Sequence, residues 1–400
     1  MTRHAVISGA GIAGPALAHQ LNGRGWRTTV IERYPERRDE GQNVDIRGAA
    51  REVARRMGID GDIRAANTGE IGMRFLDENG ALAASFPMSA PGEADGATAE
   101  LEILRGELSR IVIEHSRPDT EYRFDTRIAD LADHGDGVTV QLDDGSSLEA
   151  DLVVIAEGLR SRSRRFVTSA EVNELGMFFA YVTIPRDDSD EPWWNWQHVP
   201  GSRSVHWRPD NLGTTRAILT FISDVRGLET LDVADQITIV KRTFADVGGA
   251  APRILDALDN GAPLYFSAVG QVNSPAWSKG RIALIGDAAF CNATFGGVGT
   301  SMALIGAYVL AGELAATDDV LAALASYERF MREQHVDKTA PVKMSMLRRM
   351  NPRTRAGIRA VHTGARLVTS PAGKAITKLV GKRLVRVSAD DLVLPDYPAA

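Results

Sequence analysis

Four hundred residues with 44% hydrophobic and 24% charged content and a formal net charge of -6 fit a globular chain of two or three domains, and exclude a disordered polymer and a general nucleic-acid binder. A single cysteine, Cys291, excludes an internal disulfide, and no paired Cys or His spacing suits a zinc site, so no metal is expected and a reducing cytoplasm is the natural compartment. No secretion signal is visible, and no run reaches the roughly 20 apolar residues that cross a bilayer, the best candidate being Met302 to Leu314.

His4 to Ser8 reads as a short apolar strand, Gly9-Ala10-Gly11-Ile12-Ala13-Gly14 as a tight turn, Pro15 to Arg24 as a helix and Thr28 to Glu32 as a second strand. Strand, glycine turn, helix and strand make half of a dinucleotide-binding unit with a parallel sheet. Gly9 permits the sharp turn, Gly11 lets a diphosphate approach the backbone, and Gly14 brings helix against strand. The helix N-terminus at Ile12 and Ala13 then faces the diphosphate. Glu32 ends the second strand 18 residues after Gly14, where a carboxylate accepts hydrogen bonds from ribose hydroxyls and repels a 2'-phosphate; Arg33 follows it.

Further along, Gly135 to Asp144 predicts a hairpin with an Asp144-Gly145 turn, and Asp151 to Ala156 another buried parallel strand. Residues 175–272 change character, with β-rich segments at Phe178 to Ile184, Ser204 to Arg208, Arg216 to Ile222 and Leu264 to Val272, and a helical insert from Val233 to Asp246. Nucleotide-domain grammar then returns: a strand at Arg281 to Ile285, the pair Gly286-Asp287, and a small-residue helix from Ser301 to Leu314. Helices broken near Pro341, Pro352 and Pro371 follow. The division expected is α/β, with a discontinuous Rossmann-like FAD-binding domain over 1–174 and 273–335, a β-sheet substrate domain over 175–272 and a C-terminal helical bridge over 336–400. From Lys338 to Arg386 there are 13 Lys and Arg and no acidic residue, leaving 33 basic against 52 acidic residues elsewhere. Docking of basic helices on an acidic body is the plain expectation, with an anionic cofactor, membrane surface or partner as the alternative.

FAD and NAD share the first fingerprint, and Gly286-Asp287-Ala288-Ala289 with Gly296-Gly297-Val298-Gly299, some 270 residues later, decides for FAD. With Leu104-Arg105-Gly106-Glu107-Leu108 and GQNVDIRG at Gly41, these motifs make the chain resemble the para-hydroxybenzoate hydroxylase type (group A) of FAD-dependent monooxygenase. Within it, EILRGEL at Glu102, LYFSAVGQV at Leu264, WSKGRIALIGDAA at Trp277 and GAYVLAGEL at Gly306 resemble the tetracycline-inactivating flavin monooxygenases and their relatives over most of the chain.

The resemblance implies that Asp287, beside Gly286, meets the flavin ribityl and phosphates. It places backbone amides near Gly297, Gly299 and Thr300 by the flavin pyrimidine, and Arg105 and Arg47 on the cofactor, with Arg33 and Ile128 completing that set. Three positions depart from the family pattern: Glu157-Gly158 replaces Asp-Gly, Phe290 stands for histidine, and Thr294 for proline. Glu157 is nevertheless placed among the cofactor residues. By resemblance, NADPH or NADH acts as a transient co-substrate, dioxygen adds at the flavin C4a, and the hydroperoxide hydroxylates an aromatic or polycyclic, polyketide- or antibiotic-like molecule.

No dedicated catalytic residue is required, and no Ser/His/Asp arrangement is present. Four of the six tryptophans concentrate at Trp193, Trp194, Trp196 and Trp207; Trp194, Trp196 and Trp207, with Phe179 and Phe221, form the expected substrate wall. An oxidase or dehydrogenase on the same scaffold, or a non-redox flavin-binding protein, stays open, as do a monomer and a homodimer.

Overall fold

A computed structural model describes residues 2–38, 41–88, 101–293, 297–370, 373 and 392–397. Thr294, Gly296, Pro371 and the basic residues from Lys374 to Arg386 lie outside them. The chain is α/β. Its first sheet runs in the order Ser278–Lys279, Ile282–Leu284, Leu152–Ile155, His4–Ser8, Arg27–Ile31, Thr120–Arg123, parallel throughout except for the first, two-residue edge. His4–Ser8 and Leu152–Ile155 are buried along their whole length, and continuous apolar runs are what a sheet covered on both faces requires. Helices Ala13–Asn22 and Gly299–Ala316 pack together against this sheet. The second is longer than its sequence suggested, has the length and apolarity of a membrane span, and is 72% buried within the protein. Leu304, Ile305, Leu310 and Leu314 are fully inside, each worth about 1.5–3 kcal/mol over an exposed position. The expected hairpin forms between Val138–Leu142 and Ser147–Ala150.

The second sheet has eight strands in the order Phe290–Cys291, Leu264–Asn273, Asn173–Pro185, Thr214–Ile222, Arg203–Pro209, Trp194–Val199, Gly72–Leu76, Leu82–Pro87. Four of its members were not anticipated, the two-residue edge Phe290–Cys291 among them. Trp194–Val199 carries Asn195, Gln197 and His198 among its apolar residues and is buried on both faces, so it shows no alternation to read. Gly72–Leu76 pairs parallel with it across more than a hundred residues, and Leu82–Pro87 follows as a hairpin. One face of the sheet takes helices Val233–Phe244 and Ala251–Asp259 over Phe178, Val182, Leu219 and Phe266. The other carries Phe179, Tyr181, Ile218 and Tyr265 toward the first lobe and the helices Met344–Met350 and Arg355–Thr369.

Helix Arg355–Thr369 begins just after the expected break at Pro352, capped by Thr354 Oγ1, which accepts from Gly357 N at 3.1 Å. Its basic face meets the body directly: Arg355 bridges Glu78 at 2.8 Å and Arg366 Nε donates to Ala83 O at 2.7 Å. His362 and His198 lie ring to ring with nitrogens 3.1 Å apart, and burial pushes His198 down to about 3, so this seam is neutral at ordinary pH.

Candidate active site

The first glycine turn closes tightly. Gly9 has φ +116°, and a Cβ there would lie 2.4 Å from Ala156 O, on the neighbouring parallel strand. At Gly14 a Cβ would lie 2.0 Å from Gly9 O. Gly11 differs, since a Cβ there would meet nothing within 4 Å: the space over it is open. Immediately behind, helix Ala13–Asn22 starts at Ile12 with no side-chain cap and no acidic residue in its first turn. Its free N–H groups and positive dipole end therefore face an open cradle, which is the chemistry a diphosphate needs. Glu32 stands at the rim, its Oε2 accepting from Ala10 N at 2.8 Å.

The second motif arrives at the same place. A Cβ on Gly286 would be 3.3 Å from Ala13 Cβ, so the two glycine motifs touch although 270 residues separate them. Asp287 is pushed up to about 6 by burial, against the opposing pull of Cys291, Arg105 and Arg164. The same burial, with Asp287 beside it, raises the Cys291 thiol and keeps it neutral. Gly299 opens the long helix, where a Cβ would lie 3.6 Å from Asp287 Oδ1, and Thr300 occupies its first turn. Gly297 lies against Asp45 and Arg47, which pair at 2.7 Å, and Arg47 N donates to Ser301 Oγ at 2.9 Å. The 41–48 loop is thus tied to that helix start. Arg105 opens helix Arg105–Ser116 and donates its N–H to Gln42 O at 3.0 Å. Pairwise contacts thus join the Gly286 turn to Ala13, the start of the long helix to Asp287, and the 41–48 loop to both that helix and Arg105.

Beyond Glu32, an open cavity of about 120 Å³ is lined by Arg33, Tyr34, Arg127 and Arg162, with Ile128 buried next to it. Arg127 and Arg162 join Arg33 there, a grouping that their distance from it in sequence hid. Glu157 has a different environment from the rest. Its Oε1 accepts from Ser8 Oγ and Ser163 Oγ at 2.6 Å each, and its Oε2 from Ser161 Oγ at 2.8 Å and Ser163 N at 3.0 Å. Burial pushes its pKa up, and these bonds outweigh burial to hold it below the ordinary range. These four bonds all run within the protein, and through them Glu157 anchors the loop that leads to Arg164. That arginine, buried, donates Nε to Ala288 O at 2.8 Å and so fixes the Gly286–Ala288 turn. Glu157→Gln puts an amide NH₂ against donors and is expected to lower unfolding free energy by about 1–3 kcal/mol in denaturant titration; an unchanged midpoint would remove the anchor role. Phe290, at the family's histidine position, sets its ring edge-on to His335 at 5.7 Å.

The expected substrate wall divides between the two faces of the sheet. Phe179 faces the cleft with Tyr181 and Tyr265. Phe221 and Trp207 do not: they pack on the opposite face with Phe178, Phe244 and Val205. Parity explains it, because Phe221 pairs with Phe178 and Trp207 with Ala217, placing both one register step from the cleft face. Trp194 and Trp196 stack at 5.8 Å on the cleft side, with His206 4.4 Å from Trp196.

The same face holds an arrangement the sequence concealed. Arg208 Nη1 donates to Glu70 at 2.8 Å and also to Glu102, all three buried. The residues come from distant segments, and only an arginine at an inward strand position hinted at them. Burial first, then Glu70 and Asp45, push Glu102 up to about 8 against the pull of Arg208. The sign of the linkage follows. Between the ordinary value of 4.5 and about 8 the folded protein keeps a proton on Glu102 that the unfolded chain has released, so this group's contribution to stability falls as pH rises through that window. Stability measured against Glu102→Gln is therefore expected to decline across that range, by up to about 1.4 kcal/mol per pH unit; parallel pH profiles would contradict it.

The FAD binding domain family model matches residues 2–336. A flavin-dependent monooxygenase, eupH of Phoma sp, is 34% identical over 98% of this chain and 97% of its own length. A flavin-dependent monooxygenase from an unknown prokaryotic organism is 33% identical over 83% of this chain and 86% of its own. Among solved structures, the tetracycline destructase Tet(51) superimposes with a TM-score of 0.78 at 27% identity, covering all of both chains. Klebsiella pneumoniae HpxO, solved with FAD and uric acid, shares the fold with a TM-score of 0.76 at 21% identity, over 95% of this chain and 96% of its own.

Proposed function

The chain belongs to the FAD-binding family of flavin-dependent monooxygenases, and on that premise we propose that it uses NADPH or NADH to hydroxylate a planar aromatic or polycyclic small molecule held between its two sheets. The observation that supports the reading is the meeting of Gly286 with Ala13, which makes one cleft out of a diphosphate cradle and the Asp287 turn. Bound FAD supplies reducing equivalents and activates dioxygen.

The protein's part is binding, orientation and water exclusion. The helix start at Ala13 and Arg105 hold the phosphates, and Glu32 holds the ribose. The amides at Gly299 and Thr300 favour negative charge at the ring's pyrimidine edge. Phe179, Trp194 and Tyr181 offer flat apolar surface opposite, and the likeness to a tetracycline destructase supports a polycyclic ligand.

The test is anaerobic reduction of the flavin-loaded protein by each nicotinamide in the presence of polyketides and phenols, followed by ¹⁸O₂ and product mass. One labelled oxygen in the product is expected. A product that has only lost hydrogen would establish the oxidase or dehydrogenase reading instead.

A further inference from the structure

The basic charge of the C-terminal segment is only partly taken up by the body of the protein. From Lys338 to Ser370 there are eight Lys and Arg and no Asp or Glu. Docking accounts for two of them, Arg355 on Glu78 and Arg366 on the Ala83 carbonyl. Arg348, Arg349, Arg353 and Arg359 are exposed, and among the described residues no carboxylate pairs with any of them.

Apolar side chains share this outer surface. Helix Arg355–Thr369 turns Ile358, His362 and Ala365 inward and leaves Leu367 65% and Val368 53% exposed at its C-terminal end. Leu82, next to the Ala83 that Arg366 holds, is exposed as well, and so is Met346 on the preceding helix. Both helices lie on the face of the second sheet that carries Phe179 and His198, and they touch each other, so their outer sides face away from the sheet together.

The rest of the segment brings no counter-charge, since residues 371–386 add five Lys and Arg and no acidic residue. A second copy meeting this face about a twofold axis would set arginine against arginine. A layer of phosphates over hydrocarbon answers both features at once, the phosphates for the guanidinium groups and the acyl boundary for the exposed leucine and valine. We infer that the outer face of helices Met344–Met350 and Arg355–Thr369 docks on an anionic lipid surface. Arg348, Arg349, Arg353 and Arg359 lie at the headgroups, and Leu367 and Val368 enter the interface. The association is peripheral and reversible, because a basic patch with a few apolar side chains adsorbs without spanning. It holds whether or not the redox reading does.

Flotation of the full chain with lipid vesicles is the test. Binding to equimolar phosphatidylcholine and phosphatidylglycerol is expected to be at least about tenfold stronger than to phosphatidylcholine alone, and to weaken in high salt. Two double variants at exposed positions, Arg348→Glu with Arg359→Glu and Leu367→Ser with Val368→Ser, are each expected to lower it several-fold. Circular dichroism and flavin content should stay at wild-type values in both. Equal binding to the two vesicles, binding to neither, or undiminished binding by either variant overturns the proposal. Retention on heparin without vesicle binding assigns the face to a soluble polyanion, and a dimer that the arginine variant dissociates, again without vesicle binding, assigns it to a second copy; either result also overturns it.

Discussion

Gly11→Val is expected to give a folded protein that purifies without flavin. The position tolerates a side chain as far as the fold is concerned, because nothing lies within 4 Å of where its Cβ would be and its φ is outside the left-handed region. That open space is what the cradle consists of, and isopropyl atoms there would stand between a diphosphate and the helix N–H groups. FAD affinity should fall by at least about a hundredfold, roughly 2.7 kcal/mol, with the thermal midpoint of the flavin-free protein preserved. Gly14→Val provides the contrast. Its Cβ would collide with Gly9 O at 2.0 Å, so it should lose fold and flavin together. Flavin titration beside circular dichroism checks both. A Gly11→Val protein that takes up FAD like the wild type would mean that the cradle binds something else.

Arg208→Leu is expected to cost about 3–5 kcal/mol of stability. The guanidinium is 6% exposed and is the cation recorded against Glu70 and Glu102, themselves 6% and 3% exposed. Removing it strands two buried carboxyls. Glu102 already holds its proton near neutrality, so the greater part of the penalty falls on Glu70, which must protonate or remain charged without a partner. The double variant Arg208→Leu, Glu70→Gln should therefore recover part of the loss. Chemical denaturation at neutral pH measures it, and a change under about 1 kcal/mol would mean that the cluster is solvated rather than sealed. Because Glu102 sits on the strand before Arg105 and Arg208 on the second sheet, the cluster also fixes the spacing of the two lobes across the cleft.

The parts of this site that were legible in sequence share a physical reason. Gly9, Gly11 and Gly14 serve one turn, Glu32 ends the next strand, and Gly286-Asp287 ends another, so local spacing carried each of them. Glu157 was legible as a departure from the family pattern but not in its role, because its partners Ser8, Ser161 and Ser163 come from two segments that only the sheet unites. Parity puts Phe221 and Trp207 on the face away from Phe179: aromatic residues along a strand advertise burial without saying which face is buried. Trp194–Val199 and Gly72–Leu76 were hidden because their pairing is long-range and the first is covered on both sides. The Glu70, Glu102 and Arg208 cluster had no local pattern at all.

The central claim is that the Gly11 cradle and the Asp287 turn hold the same molecule of FAD. The most direct measurement is titration of FAD into flavin-free protein, for the wild type, Gly11→Val, Asp287→Ala and the pair. One FAD per chain, weakened by each change alone, is the predicted result. A wild-type protein that remains colourless in excess FAD, or variants that bind it undiminished, would contradict the account.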